Sequence, residues 1–195
     1  MKHGAVSFLD ESVYWQTEAM SEIDSADMGP WLPPEELEFV RRKVPMTYVD
    51  IVPVRLDELG TLEAVGMLLC VSADTIVRTF PSGRILFHET IRDALVRHVE
   101  KDLGPMSLPQ IPPCVAPFTV GEYFPTPGEG FHDPRQHAVS LAYIIPLQGD
   151  CNPGSDSLEF TWFTPGEART PELQAEMNQG HANLLRQALA VMGQA

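Results

Sequence analysis

The chain has 195 residues, 44% of them hydrophobic, and a formal net charge of −14. That length suits one domain with a core of its own, and no run reaches the roughly 18 apolar residues of a membrane span. The acidity excludes general binding to nucleic-acid polymers or anionic membranes, and leaves room for a small anionic ligand held by local arginines or a metal. Cys70, Cys114 and Cys151 are odd in number and lack metal-type spacing. With no basic start and apolar leader at the N-terminus, they point to reduced thiols and a cytoplasmic location.

In chain order, residues 1–29 form an N-terminal arm and 30–195 a single domain. Phe8, Val13, Tyr14 and Trp15 are too apolar for a free tail, so the arm covers an edge of the domain or tethers the second subunit of a homodimer. Pro30 to Val44 predicts a short helix. Pro33 and Pro34 open it, Glu35 and Glu36 fill its first turn, and Arg41, Arg42 and Lys43 its last, an order that suits the helix dipole. Met46 to Arg55, Ala64 to Val71 and Thr75 to Thr79 read as strands rich in β-branched residues. Asp50 interrupts the first of them, where a buried carboxylate is costly unless it is hydrogen-bonded or functional.

The stretch from Gly83 to Gly104 reads as a glycine loop, a capped helix and a hard stop. Thr90 is the N-cap and Asp93 its capping-box partner. Ile91, Leu95 and Val99 form an apolar stripe at helical spacing, and Gly104-Pro105 ends the helix. His98 and Asp102, at i and i+4, face the same way. Beyond it lie a strand over Val115 to Tyr123, a mobile loop over Pro125 to Gln136, and strands over His137 to Leu147 and Leu158 to Phe163. Thr170-Pro171-Glu172 opens a terminal helix with Gly180 as its weak point. Together these predict a helix–sheet–helix sandwich.

The stretch resembles the Nudix box: Gly, five residues, Glu, seven residues, then Arg-Glu-apolar-x-Glu-Glu-x-Gly. Gly83, Glu89, Arg97, Val99 and Gly104 fall on that pattern, whereas the three metal-binding glutamates read His98, Lys101 and Asp102. The box is therefore degenerate. The resemblance implies a Nudix-like α/β/α sandwich with a mixed β-sheet, in which Glu89 and Arg97 tie loop to helix. Segments outside the box, WLPPEELEFVRRKVPMTYVDIVPV, HAVSLAYIIPL and EFTWFTPGEA, are similar to the GDP-mannose mannosyl hydrolase branch of the family. That branch implies one Mg²⁺ ion, a nucleotide-sugar substrate, and substrate contacts at the positions of Asp50, Arg84 and His137. The branch's general-base histidine before the tryptophan strand has no counterpart in Gly154-Ser155-Asp156-Ser157.

Two functions follow from the resemblance. One is a hydrolase of a nucleoside diphosphate linked to another group. In it Asp102, backbone oxygen near Gly83 and Asp156 hold Mg²⁺, and Arg84 and Arg78 steady the diphosphate. The proton carrier is one of His88, His98, His132 and His137, a residue type whose pKa suits the task. The other is a nucleotide-binding or regulatory module without catalysis. Lys101 stands where a cation should bind. Either it swings outward, or its ammonium replaces the metal and contacts phosphate.

Overall fold

The computed structural model describes residues 31–72, 75–128 and 131–194; the arm expected over 1–29 lies outside them. The central strand is β1 (Met46–Leu56), buried without interruption from Val49 to Val54, as its apolar run requires. It pairs in parallel with β7 (Ala138–Pro146) along its length. On its other edge it pairs antiparallel first with β4 (Ser82–Arg84), through Tyr48–Asp50, then with β2 (Leu62–Ser72), through Val54–Leu56. Pro53 falls in the gap between these two partners on that edge. A proline inside a central strand is tolerated where the ladder needs no N–H from it.

The sheet continues through β3 (Thr75–Thr79) beside β2, and through β5 (Thr119–Phe124) and β6 (Phe131–His132) beyond β7. The strand β8 (Glu159–Phe163) also pairs with β2. Both parallel and antiparallel pairs occur, so this is a mixed sheet. Helix α2 (Ile91–Leu103) covers one face, burying Leu95, Val99 and Leu103 against Val49, Ile51 and Tyr143. Helix α5 (Gln179–Val191) covers the other, packing Leu184, Leu185 and Ala188 on Val52, Val54 and Phe80. Each fully buried Leu or Val here stabilises the fold by about 1.5–3 kcal/mol. The result is the expected α/β/α sandwich. Among the described residues no helix is long and apolar enough to cross a membrane.

Two local expectations differ, and a third element is confirmed. Helix α1 (Pro34–Arg41) forms as read but buries none of its residues. The strand expected from Val115 begins only at Thr119, because Pro117 cannot donate to a ladder. The terminal helix is broken: after the short α3 (Pro165–Ala168) come α4 (Pro171–Ala175) and, separately, α5. Between the last two, the Arg78 N–H donates to the Glu176 carbonyl at 2.8 Å and Met177 bridges to Arg78 of β3. Asn178 then starts a new helix as N-cap, its Oδ1 accepting from the His181 N–H at 2.8 Å. That break brings His181 to the sheet.

Candidate functional site

The box is built as a loop clamped onto α2. Thr90 caps the helix, accepting from the Asp93 N–H at 3.1 Å. Arg97 donates to both oxygens of Glu89, at 2.6 and 2.7 Å, and to the Arg84 carbonyl at 2.9 Å. Glu89 also accepts from the Leu86 N–H. These bonds, Arg97 foremost, hold the Glu89 carboxyl below its usual pKa despite its burial. His98 lies buried beneath the loop. Its Nε2 faces the Arg84 carbonyl at 3.2 Å, and its Nδ1 is buried with no partner among the described residues. Burial chiefly pushes the His98 pKa down, against the pull of that carbonyl.

On the opposite face of the sheet lies a cleft of about 650 Å³, within the range of small-molecule sites. Strand register decides which side chains reach it. Asp50 pairs with Ser82 across β4 and with Ala142 across β7, while Tyr48 pairs with Ser140, and Ser140 with Gly121. Paired residues share a face, so Tyr48, Asp50, Ser82, Ser140 and Tyr123 line one cavity. Asp50 is 4% exposed. Its Oδ2 accepts from Ser140 Oγ at 2.6 Å, and its Oδ1 stands 3.4 Å from His181 Nε2.

The other His181 nitrogen, Nδ1, accepts the Phe80 N–H at 3.1 Å and lies 2.7 Å from Thr79 Oγ1. A backbone donor aimed at Nδ1 leaves the ring proton on Nε2, pointing at Asp50. Tyr123 closes the floor. Its hydroxyl is buried beside the Asp50 carboxylate, and burial first, then that charge and hydrogen bonding to it, push its pKa well up. At the rim, Arg135 forks onto Asp133, which also accepts from Gln136, which in turn bonds Tyr48. The loop expected to be mobile thus carries β6 and a hydrogen-bonded network.

The residues singled out from the sequence are divided by the sheet. Asp50 faces the cleft, whereas His98 and Asp102 belong to α2 on the other side. His137, expected beside Asp50, stacks on Phe124 at 4.7 Å, with Nε2 buried and unpartnered among the described residues. Alternation along β7 turns it away from Ala138 and Ser140. Arg84 shares the face of Tyr48 by register, and among the described residues no carboxylate pairs with its guanidinium. Arg78 is engaged elsewhere: it meets Glu176 at 2.6 Å and Glu159 at 3.3 Å, and lies over the Phe163 ring. Lys101 points outward, its side chain 58% exposed. His132 reaches the cleft; His88 is exposed in the loop before α2. His181, absent from the sequence-based candidates, is the histidine that touches Asp50. The signal for it was Asn178, a good N-cap three residues before it.

The donors at the box do not fit a resident Mg²⁺. Such an ion takes hard oxygen ligands in a near-octahedral shell. Asp102 is the one carboxylate left of the three, and the Lys101 ammonium lies 3.3 Å from its Oδ1. The His98 ring fills the space against Gly83 and takes up the Arg84 carbonyl. Asp156 is exposed, its nearest side-chain partner the neighbouring Ser155. Among the described residues no group of three His, Cys, Asp or Glu is placed to hold a metal.

Mixed sheet, flanking helices and a loop–helix box together define a Nudix fold. The structure is similar to the MutT protein of Methanosarcina mazei Go1, with a TM-score of 0.55 and 12% identity over 76% of this chain and 97% of that one. It is similar also to the NUDIX domain of Shewanella oneidensis NrtR, solved with ADP ribose, with a TM-score of 0.55 and 15% identity over 94% and 99% of the two chains. A Jonesia denitrificans protein described as a possible asymmetric diadenosine tetraphosphate hydrolase shares 55% identity. That match covers 78% of this chain and 97% of the other, with a TM-score of 0.76. Residues 27–194 match the domain of unknown function DUF4916, and the chain belongs to that family. No curated protein matches it.

Proposed function

We infer that the protein binds a nucleoside diphosphate linked to a second group, without needing a metal ion. The cleft beside β1, β7 and α5 would be its ligand site. The observation that carries this reading is the His98 ring seated against Gly83 and the Arg84 carbonyl. It takes the place of a carboxylate at the box, while a polar cavity of nucleotide size persists across the sheet. Likeness to a NUDIX domain solved with ADP ribose supports the ligand class. Calorimetry with ADP-ribose, diadenosine tetraphosphate and nucleotide sugars tests it. Binding that is the same in EDTA and in Mg²⁺ is the expected result; affinity that appears only with Mg²⁺ sinks the metal-free reading.

A second reading, metal-assisted hydrolysis of the same class of ligand, is favoured by one observation. The 55%-identical Jonesia protein is described as a possible hydrolase. On that reading Asp102 and Asp156 would have to gather an ion near the Gly83 loop, and Arg84 would contact the diphosphate. A nucleotide-sugar substrate, as in the GDP-mannose mannosyl hydrolase branch, belongs to this reading too. Product formation from any member of the panel, dependent on Mg²⁺ or Mn²⁺, would establish it.

A further inference from the structure

The rim of the cleft is tied to the sheet by a chain of side chains. Gln136, 2% exposed, donates from Nε2 to Tyr48 Oη at 2.9 Å and to Asp133 Oδ2 at 3.0 Å. Asp133 is anchored through its backbone too, its N–H donating to the Phe124 carbonyl at 3.1 Å. Its carboxylate takes Arg135 side-on: Oδ1 accepts from Nε at 2.8 Å and Oδ2 from Nη2 at 2.9 Å. A guanidinium carries five N–H donors in a planar fork. This pairing uses one on each of two nitrogens, and Nη1 has no hydrogen-bond partner among the described residues. The end-on edge, Nη1 with the second Nη2 proton, is therefore available, on a side chain that is 67% exposed. Among the described residues that line the cleft, Arg135 is the one Arg or Lys.

Resting on the nucleotide reading above, we propose that Arg135 is the phosphate-recognising residue of the cleft and Asp133 the residue that positions it. The end-on edge forks onto two oxygens of one phosphate, a planar match that an ammonium cannot make. The phosphate meets the guanidinium at hydrogen-bond distance and the Asp133 carboxylate only across its width, so attraction outweighs repulsion. Deeper in the cleft the Asp50 carboxylate is 4% exposed, and in that drier setting it repels a phosphate more strongly. The diphosphate therefore stays at the rim, and the uncharged part of the ligand turns inward. Because Asp133 already holds the arginine in place, binding costs little of its rotamer freedom.

Calorimetry in EDTA with ADP-ribose, diadenosine tetraphosphate and adenosine tests it. Arg135→Gln should weaken both phosphate-bearing ligands about tenfold and leave adenosine unchanged, with a native circular dichroism spectrum. Arg135→Lys keeps the charge without the fork and should recover only part of the loss. Added NaCl should weaken ADP-ribose binding in the wild type and do so less in Arg135→Gln. Asp133→Asn should weaken ADP-ribose several-fold in the wild type and add nothing in the Arg135→Gln background, a coupling that a merely structural role does not produce. Unchanged affinity for both phosphate ligands in Arg135→Gln, or an equal loss for adenosine, overturns the assignment while the nucleotide reading stands. Full recovery by Arg135→Lys overturns the fork, and additive losses in the cycle overturn the positioning role of Asp133. If the wild type binds no nucleotide at all, that reading fails and the assignment with it.

Discussion

The His98 imidazole lies against Gly83 so closely that a Cβ on that glycine would fall within the ring. The glycine is therefore required by the space the histidine takes, since its own φ is not positive. Gly83→Ala should destabilise the protein by about 1–3 kcal/mol through overpacking. In a His98→Ala background the same substitution should cost little, and a double-mutant cycle in urea reads the difference. Equal costs in both backgrounds would show that the loop, not the ring, excludes the methyl group.

Restoring the box's carboxylates should restore a metal. His98→Glu with Lys101→Glu places carboxylates at all three metal-binding positions of the box, of which Asp102 alone now holds one. Calorimetry should register no Mg²⁺ binding below millimolar concentrations in the wild type and clear binding in the double variant. Because Lys101 points outward, Lys101→Glu alone should do less than His98→Glu alone. Tight Mg²⁺ binding by the wild type would mean that Asp102 and its neighbours still form a metal site.

Acid stability should fall in two steps. His98 has its folded pKa pushed below 6.5 by burial, so below 6.5 the unfolded chain binds a proton that the folded one refuses. Stability from His98 is therefore complete above that pH and lost as pH falls below it. Glu89 and Asp133 are held low in the fold, by Arg97 and Arg135 respectively. Their contribution is present above the unfolded values of 4.5 and 3.8 and is lost only as pH falls through the lower folded ones. Melting temperatures across pH 3–8 should show both steps, and His98→Gln should flatten the upper one.

Glu89 carries most of the clamp between loop and helix, accepting from Arg97 twice and from Leu86 once. Glu89→Gln leaves the Arg97 charge without its partner and should cost about 1.5–3 kcal/mol in denaturation. Arg42–Glu38, an exposed i,i+4 pair, should by contrast be worth at most about 0.5 kcal/mol.

Box and strands are legible in the sequence because they rest on local signals: glycine spacing, a Thr90 cap and runs of β-branched residues. The division of Asp50 from His98 and His137 is not, since it depends on β1 pairing with β7 some 90 residues away and on a register whose slip by one would exchange the faces. Lys101 misleads for a related reason. Its i+3 spacing from His98 suggests a shared face, yet packing turns His98 inward and leaves Lys101 in solvent. His181 is hidden when the terminal helix is read as unbroken. An Asn that caps a new turn looks, in sequence, like a polar residue on a helix surface.

Gly180, read from the sequence as a weak point of that helix, sits in the first turn of α5 against Tyr123. A Cβ there would lie 2.7 Å from Cε1 and 2.9 Å from the hydroxyl oxygen of the tyrosine. Two effects oppose each other in Gly180→Ala. Alanine is the better helix former by about 1 kcal/mol, while the clash with a ring held by Phe131 at 4.9 Å should cost about 1–3 kcal/mol. The clash should win, giving a net loss of up to about 2 kcal/mol and a displaced hydroxyl. Tyr123→Phe would remove only one of the close atoms and so give partial relief. In a Tyr123→Leu background, with no ring to meet, Gly180→Ala should change sign and stabilise. Chemical denaturation of the four proteins decides it: destabilisation of the same size in both backgrounds would mean that something other than Tyr123 keeps residue 180 a glycine.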